Sequence, residues 1–179
     1  MSGGEEAGGK TSPAPYAAPA GTGIGHVHLR VADLDRAIAF YEGVLGFGVQ
    51  QRIGDEAAFL GARMPGGGHY HHHIGLNTWG SRGGTPPPPG HTGLYHTAIL
   101  FPDRAALAEA VRRVLAAGHA LTGATDHGVS EAVYLNDPDG NGLELYRDRP
   151  LTEWPRDAQG SLAMIREPLD LAQLVVWDR

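Results

Sequence analysis

Cysteine is absent from the 179-residue sequence, which excludes disulfide bonds, thiolate nucleophiles and cysteine-ligated zinc or iron–sulfur sites. Long hydrophobic runs are also missing, because no apolar stretch approaches the roughly 18 residues of a membrane span. The net charge is −6 and no basic stretch stands out, so neither a membrane nor a nucleic acid is an expected partner. The first residues lack the basic and apolar segments of a signal peptide, and we therefore expect a soluble cytoplasmic protein.

Glycine and proline are abundant, at 27 and 13 positions, and their distribution divides the chain. Residues 1–22 are rich in Gly, Ala, Pro and Ser without periodicity, which predicts a flexible N-terminal tail. Residues 81–93 include the run PPPP, which predicts a stiff, extended linker. The segments on either side, 23–80 and 94–150, are periodic and predict one domain of two modules. Residues 151–179 form a C-terminal extension, expected to pack on the body of the protein or on a second subunit, which would give a homodimer.

Each module follows the same order of one strand, one helix and three strands. Module one begins with the strand GIGHVHLRV and the helix ADLDRAIAFYEGVLGF, which Asp33 is predicted to cap and Gly46 to end. The strands GVQQRI, AAFLGAR and YHHHIGLNTW follow. Module two has the strand LYHTAILF, the helix PDRAALAEAVRRVLAAG and the strands HALTGATD, EAVYLNDP and GLELYRD.

The two modules are an internal repeat. His26 aligns with His96 and Asp33 with Asp103, both 70 positions apart. Each module is too small to be stable alone. The sequence therefore predicts an α+β fold in which two paired βαβββ modules form a shared cavity.

Two groups of apolar side chains are expected to be buried. The first is on one face of the helix in module two and comprises Leu107, Val111, Val114 and Leu115. The second is in the C-terminal extension and comprises Trp154, Leu169, Leu171, Leu174 and Trp177.

The repeat places two histidines, His26 and His96, at equivalent positions in the first strand of each module. Glu144 follows in the last strand of module two. Two imidazoles and one carboxylate form the facial triad of non-haem Fe(II) oxygenases, which leaves coordination positions open for substrate. The same donors also suit Mn(II), Zn(II), Co(II) or Ni(II). We predict that these three residues are metal ligands.

The sequence resembles the vicinal-oxygen-chelate superfamily, which includes glyoxalase I, bleomycin and fosfomycin resistance proteins and extradiol dioxygenases. HVHLRVADLDRAIAFYEGVLGF is similar to the opening strand and helix of that superfamily, and YLNDPDGNGLELY to its closing strand. The resemblance covers about residues 22–150. It implies the paired-module fold and leaves the reaction open.

One stretch, TDHGVSEAVYLNDPDGNGLE at 125–144, resembles the extradiol dioxygenase signature throughout. That signature has a histidine, a hydrophobic–tyrosine pair, an Asp-Pro-x-Gly turn and a final glutamate. The resemblance implies that Glu144 is the third metal ligand and that Tyr134 hydrogen-bonds a substrate hydroxyl. It also implies that His127 does not bind the metal itself but lies just outside its ligands, where it helps to orient the substrate.

The histidine-rich run GGGHYHHHIGLNTW at 66–79 matches a further feature of these dioxygenases, an acid–base histidine in the last strand of the module. HHIGL places this histidine at His72, whereas a glyoxalase-like alignment places the equivalent residue at His73. Because side chains alternate along a strand, His72 is predicted to face away from His71 and His73, and we expect His72 to face the cavity. His28, two residues after His26, is a rival ligand or a supporting group.

Together these features predict an extradiol dioxygenase of the catechol-2,3-dioxygenase type, with Fe(II) as the expected metal and a small aromatic diol and O2 as substrates. Two alternatives are a glyoxalase-like lyase or isomerase with Zn(II) or Ni(II), and a metal-free drug-binding resistance protein. Many extradiol enzymes have four βαβββ units, whereas this chain has two. The linker and the C-terminal extension are therefore candidates for part of the cavity wall.

Overall fold

The structure is a computed structural model that describes residues 16–176. Module one consists of β1 Val27–Arg30, α1 Leu34–Ile38, a π-helical segment Ala39–Val44, β2 Gly48–Ile53, β3 Ala57–Gly61 and β4 Ile74–Asn77. Module two consists of β5 Thr97–Leu100, α2 Arg104–Ala116, β6 Leu121–Asp126, β7 Ser130–Asn136 and β8 Gly142–Asp148. The extension adds a 3₁₀ turn Leu151–Glu153, β9 Glu167–Pro168 and α3 Leu171–Val175. In this part of the chain no helix is long and apolar enough to cross a membrane.

The two modules have the same sheet topology. Their strand orders are β1-β4-β3-β2 and β5-β8-β7-β6, and β9 extends the second sheet beside β6. The opening strand of each module runs parallel to the last one, β1 to β4 and β5 to β8, and is the edge of its sheet. This arrangement confirms the predicted α+β repeat of two βαβββ modules.

The helix termini follow from the sequence. Asp33 accepts a hydrogen bond from Arg36 N, and Asp103 accepts one from Ala106 N, so both are N-caps. Gly46 has φ of 81°, a conformation that glycine adopts without steric cost, and it ends the first helix. This helix was predicted as α throughout, but its second half is π-helical, with Leu45 N bonded to Phe40 O.

One continuous core lies between the helices and the sheets. Leu107, Val111 and Val114 of α2 are fully buried in it, as predicted. Leu115 was expected on the same face, but 46% of it is exposed. It follows Val114 directly, and one step of about 100° along the helix turns it towards solvent.

The C-terminal extension packs on module two, one of the two sites expected for it. Leu174 is fully buried, and β9 pairs with the end of β6. Trp154 donates its indole N–H to Arg149 O at 2.8 Å. Trp177 and most of the predicted N-terminal tail, residues 1–15, lie outside the described residues.

The DPDGN turn at 137–141, which precedes β8, binds module two to module one through hydrogen bonds. Tyr41 OH donates to the buried Asp137 carboxylate at 2.9 Å. Asp139 accepts hydrogen bonds from Ala32 N and from Arg36 Nη2, at 2.8 and 2.7 Å. The acidic side chains of the turn therefore fix module two against the start of the first helix.

The fourth strand of module one is shorter than predicted. YHHHIGLNTW was expected to be a strand over 70–79, whereas β4 comprises Ile74–Asn77. Tyr70 N donates to Ala62 O and His73 N to Leu60 O. Between these two bonds the chain advances three residues, from 70 to 73, whereas the neighbouring segment advances two, from 60 to 62. One extra residue is inserted, as in a β-bulge, and the predicted alternation of His71, His72 and His73 does not apply.

Candidate functional site

Predicted site residues line three cavities among the described residues. The module-two cavity, of about 630 Å³, is bounded by strands of the second sheet and by Arg166 of the extension. The seam cavity, of about 750 Å³, lies where the two edge strands β1 and β5 approach each other. His96 lines both of these cavities. His72 was expected to face the shared cavity, but it lines a separate one of about 470 Å³ together with His71 and Phe59, not the two larger ones that hold His96.

Strand register places Glu144 between two other predicted site residues. In β8 it is paired with Ala98 of β5 on one side and with Tyr134 of β7 on the other. Glu144 Oε2 lies 2.9 Å from His96 Nε2, and Tyr134 OH donates to Oε1 at 3.3 Å. Both oxygens of this largely buried carboxylate are therefore engaged.

His127 extends this series of hydrogen bonds. Its Nε2 lies 2.8 Å from Tyr134 OH, and because that hydroxyl donates to Glu144, it accepts from His127. His127 Nδ1 lies 3.3 Å from Ile165 O, so the C-terminal extension helps to orient the ring. The structure thus brings four predicted residues, His127, Tyr134, Glu144 and His96, into one connected series.

The surroundings keep Tyr134 protonated. Burial, followed by the charge of Glu144 and the hydrogen bond to it, raises the pKa of Tyr134 to about 12, although the positive charge of Arg166 acts in the opposite direction. The phenol is therefore a hydrogen-bonding group at neutral pH, not a base.

His96 and Glu144 have the chemistry of a metal-binding pair. An imidazole nitrogen and a carboxylate oxygen converge at 2.9 Å, and both atom types are ligands of Fe(II), Mn(II) and Zn(II). His96 Nδ1 is buried and has no hydrogen-bond partner among residues 16–176. The donors therefore fit a divalent metal on the Nε2 side of the ring.

His26 lies apart from this pair. Its ring centroid is 4.6 Å from that of His72, and it lines the seam cavity together with His96. Within the described part of the chain, no three His, Cys, Asp or Glu side chains are grouped as a metal site. Of the three predicted ligands, His96 and Glu144 are thus a close pair, and His26 shares the seam cavity with His96.

The histidine run forms a cluster around the bulge. His72 contacts His26 and Phe59, and its Nδ1 lies 2.8 Å from His71 Nδ1. The prediction that His71 and His72 face apart is therefore wrong, because the bulge brings the two rings together. Burial and then the charges of neighbouring histidines lower the pKa of His72.

His73 and His28 have separate environments. His73 stacks on Tyr70, accepts a hydrogen bond from Ala62 N at 3.2 Å and lines the seam cavity. His28 packs against Phe59 and Trp79.

Arg166 is a cavity residue that the sequence does not mark. It lies in the extension between Ile165, which is bonded to His127, and β9. No motif or spacing identifies it, because its position depends on how the extension folds back on β6.

Comparison with known proteins relates the chain to one group. A family model described as the Glyoxalase/Bleomycin resistance protein/Dioxygenase superfamily matches residues 23–145. The chain is 38% identical to the catechol-2,3-dioxygenase of Bacillus subtilis (strain 168) over 156 residues, which are 86% of this chain and 51% of that protein. It therefore spans about half the length of this curated relative.

Solved structures show the same fold. A glyoxalase/dioxygenase from Nostoc punctiforme aligns with a TM-score of 0.58 at 22% identity and covers 78% of this chain and 100% of that one. A lactoylglutathione lyase from Agrobacterium tumefaciens aligns with a TM-score of 0.53 at 24% identity, over 72% of this chain and 96% of that one.

Proposed function

The chain belongs to the glyoxalase/bleomycin resistance protein/dioxygenase superfamily, and on this premise we propose that it is a metal-dependent extradiol dioxygenase. Its substrate is an aromatic diol, whose ring opens beside the two hydroxyl groups with incorporation of O2. The observation that carries this proposal is the connected series His127, Tyr134, Glu144 and His96, of which His96, His127 and Tyr134 line the module-two cavity. The 38% identity to a catechol-2,3-dioxygenase supports the same activity.

The metal is assigned to His96 and Glu144, with His26 of the seam cavity as the third ligand. Fe(II) is the expected metal, and Mn(II), Zn(II) or Ni(II) would accept the same donors. When bound, Fe(II) would supply the positive charge that lowers the pKa of the substrate hydroxyls and the redox chemistry that O2 requires.

Binding and proton transfer are assigned to Tyr134 and His127 beside this pair and to His72, which contacts His26. Tyr134 presents a protonated phenol that hydrogen-bonds a substrate hydroxyl, and His127 holds that phenol in place. His72 is assigned as the acid–base group, since an imidazole exchanges protons near neutral pH.

The experiment is anaerobic loading of the protein with Fe(II), followed by addition of O2 and a panel of catechols. We expect uptake of one O2 per catechol and growth of a yellow ring-opened product, both abolished in His96→Ala and Glu144→Gln. The absence of O2 uptake with every catechol, together with tight Zn(II) or Ni(II) binding, would overturn the proposal.

The same Fe(II)-loaded protein distinguishes the dioxygenase from the two alternative functions. A glyoxalase-like lyase or isomerase would turn over without O2. Such an enzyme would be favoured by a carboxylate side chain in the last strand of module one, which is β4. β4 is IGLN and has none. A metal-free binding protein would bind catechols equally well in wild type and in Glu144→Gln.

A further inference from the structure

Arg166 introduces a positive charge into the wall of the module-two cavity. It shares that wall with His96, His127 and Tyr134. Within residues 16–176 it has no ion-pair or hydrogen-bond partner, and the cavity lining contains no other Arg or Lys and no Asp or Glu. Arg166 is a solvent-exposed residue of this wall, and no carboxylate side chain shares the cavity lining with it, so its charge is available to a ligand.

The backbone on both sides of Arg166 is fixed. Ile165 N donates to His127 O at 3.1 Å, and Glu167 is paired with Asp126 at the end of β6. Leu169 N donates to Ala124 O at 3.4 Å. The guanidinium is therefore attached to a segment bonded to the strand that leads to His127.

Arg166 lies on the same cavity wall as Tyr134, the proposed diol-binding group. The cavity volume of about 630 Å³ lies within the roughly 300–1,000 Å³ of small-molecule sites. It offers room for a substituent beside a diol ring held at Tyr134. A guanidinium presents parallel N–H donors that match the two oxygens of a carboxylate.

We infer that Arg166 binds a carboxylate on the substrate, so that the preferred substrates are aromatic diols with an anionic side chain. This inference rests on the proposed function and narrows its substrate class. The diol end is held near Tyr134 and Glu144, and the carboxylate end is held by the C-terminal extension. The extension is thereby a specificity element, not only a structural appendage.

The first test compares 3,4-dihydroxyphenylacetate with 4-methylcatechol, which has the same diol and no charge. For Arg166→Gln we expect kcat/KM to fall roughly 10- to 100-fold on the carboxylate substrate, the range of a hydrogen bond to a charged group, with 4-methylcatechol changed less than about threefold. Arg166→Lys should restore part of the loss. Arg156→Gln is the matched control, because Arg156 lies in the same extension and bonds Gly160 O.

The second test needs neither metal nor turnover. Binding of phenylacetate to the metal-free protein is measured by calorimetry, and we expect it to be lost in Arg166→Gln and retained in Arg156→Gln. Phenylacetate that fails to bind the wild type, or binds Arg166→Gln equally well, would overturn the inference. Equal loss of kcat/KM on both catechols would also overturn it. Failure of the proposed function shows instead as no turnover of either catechol, with the binding result intact.

Discussion

Glu144 occupies a position where two strands bring it different partners. His96, which directly precedes β5, contacts Glu144 on one side, and Tyr134 of β7 contacts it on the other. A change at this one side chain therefore affects both the proposed metal pair and the group assigned to the substrate hydroxyl. Its conservative variant, Glu144→Gln, keeps the shape and removes the charge.

His72 lies beside His71 in the bulge, and its role as the acid–base group can be tested by mutation. We expect His72→Ala to retain Fe(II) and lose turnover by roughly 10²- to 10⁴-fold, the usual contribution of a general acid–base. His91→Ala is the control, because His91 is exposed in the linker, where its Nδ1 lies 3.0 Å from Pro88 O, and it should keep both metal and turnover. Metal content by elemental analysis and kcat on a catechol give the answer, and loss of metal from His72→Ala would make that histidine a ligand.

The sequence predicts some site residues better than others for a physical reason. His127, Tyr134 and Glu144 lie in or directly beside the consecutive antiparallel strands β6, β7 and β8, which two tight turns connect, so local register alone brings them together. His26 is different, because its distance from His96 depends on how two separate sheets meet. The faces of His71 and His72 could not be predicted either, since a one-residue bulge leaves no mark in the pattern.

At the scale of elements, the DPDGN turn connects the modules through Tyr41. Its hydroxyl donates to the buried Asp137 carboxylate, so Tyr41→Phe removes one partner of a buried charge. We expect the free energy of unfolding to fall by about 1–3 kcal/mol. Tyr16→Phe is the control, because Tyr16 is 85% exposed and should have no measurable effect in a urea titration. An unchanged midpoint for Tyr41→Phe would contradict this role of the turn.

Glu131 links α2, β7 and β8 and gives a pH-dependent contribution to stability. Burial by itself would raise the pKa of Glu131, but hydrogen bonds from Arg147 and Arg104 and their charges outweigh burial and lower it. Arg149 also contacts this carboxylate and pairs with Asp126 of β6. Because the folded-state pKa lies below the unfolded one, the stabilisation is full above the unfolded pKa and is lost as pH falls through the folded pKa.

We therefore expect Glu131→Gln to lower the free energy of unfolding by about 3 kcal/mol at pH 7. The difference from wild type should shrink as the pH falls below about 4. Glu153→Gln is the matched control, because Glu153 lies 3.7 Å from Arg149 and is 54% exposed; its effect should stay below about 1 kcal/mol. Thermal unfolding between pH 3 and 7 measures both, and a pH-independent difference for Glu131→Gln would contradict the assignment.

The order of elements could be read from the sequence because each module repeats its caps and periodicities. Asp33 and Asp103 mark both helix starts, and β6, β7 and β8 lie close to their predicted segments. β5 is shorter than the predicted strand over 94–101, so His96 directly precedes it. The π-helical turn could not be foreseen, since Phe40 and Tyr41 fit an α-helical pattern equally well. The path of the extension was also open, because Leu174 would be buried equally well against a second subunit.

At the scale of the whole molecule, the proposed metal site depends on both modules. Within residues 16–176 the two sheets share no hydrogen-bonded strands. His26 of module one and His96 of module two both line the seam cavity. We expect His26→Ala to weaken Fe(II) binding by more than the roughly 10- to 100-fold that supporting residues contribute. His28→Ala, two residues along the same strand, is the control. The reverse pattern would assign the ligand to His28.

The central claim is that this two-module chain, about half the length of its Bacillus subtilis relative, opens an aromatic diol with dioxygen. The most direct measurement is mass spectrometry of the product formed by the Fe(II)-loaded protein from a catechol under ¹⁸O₂. The account predicts a ring-opened product that carries both labelled oxygen atoms. A product without label, or catechol recovered unchanged, would contradict it.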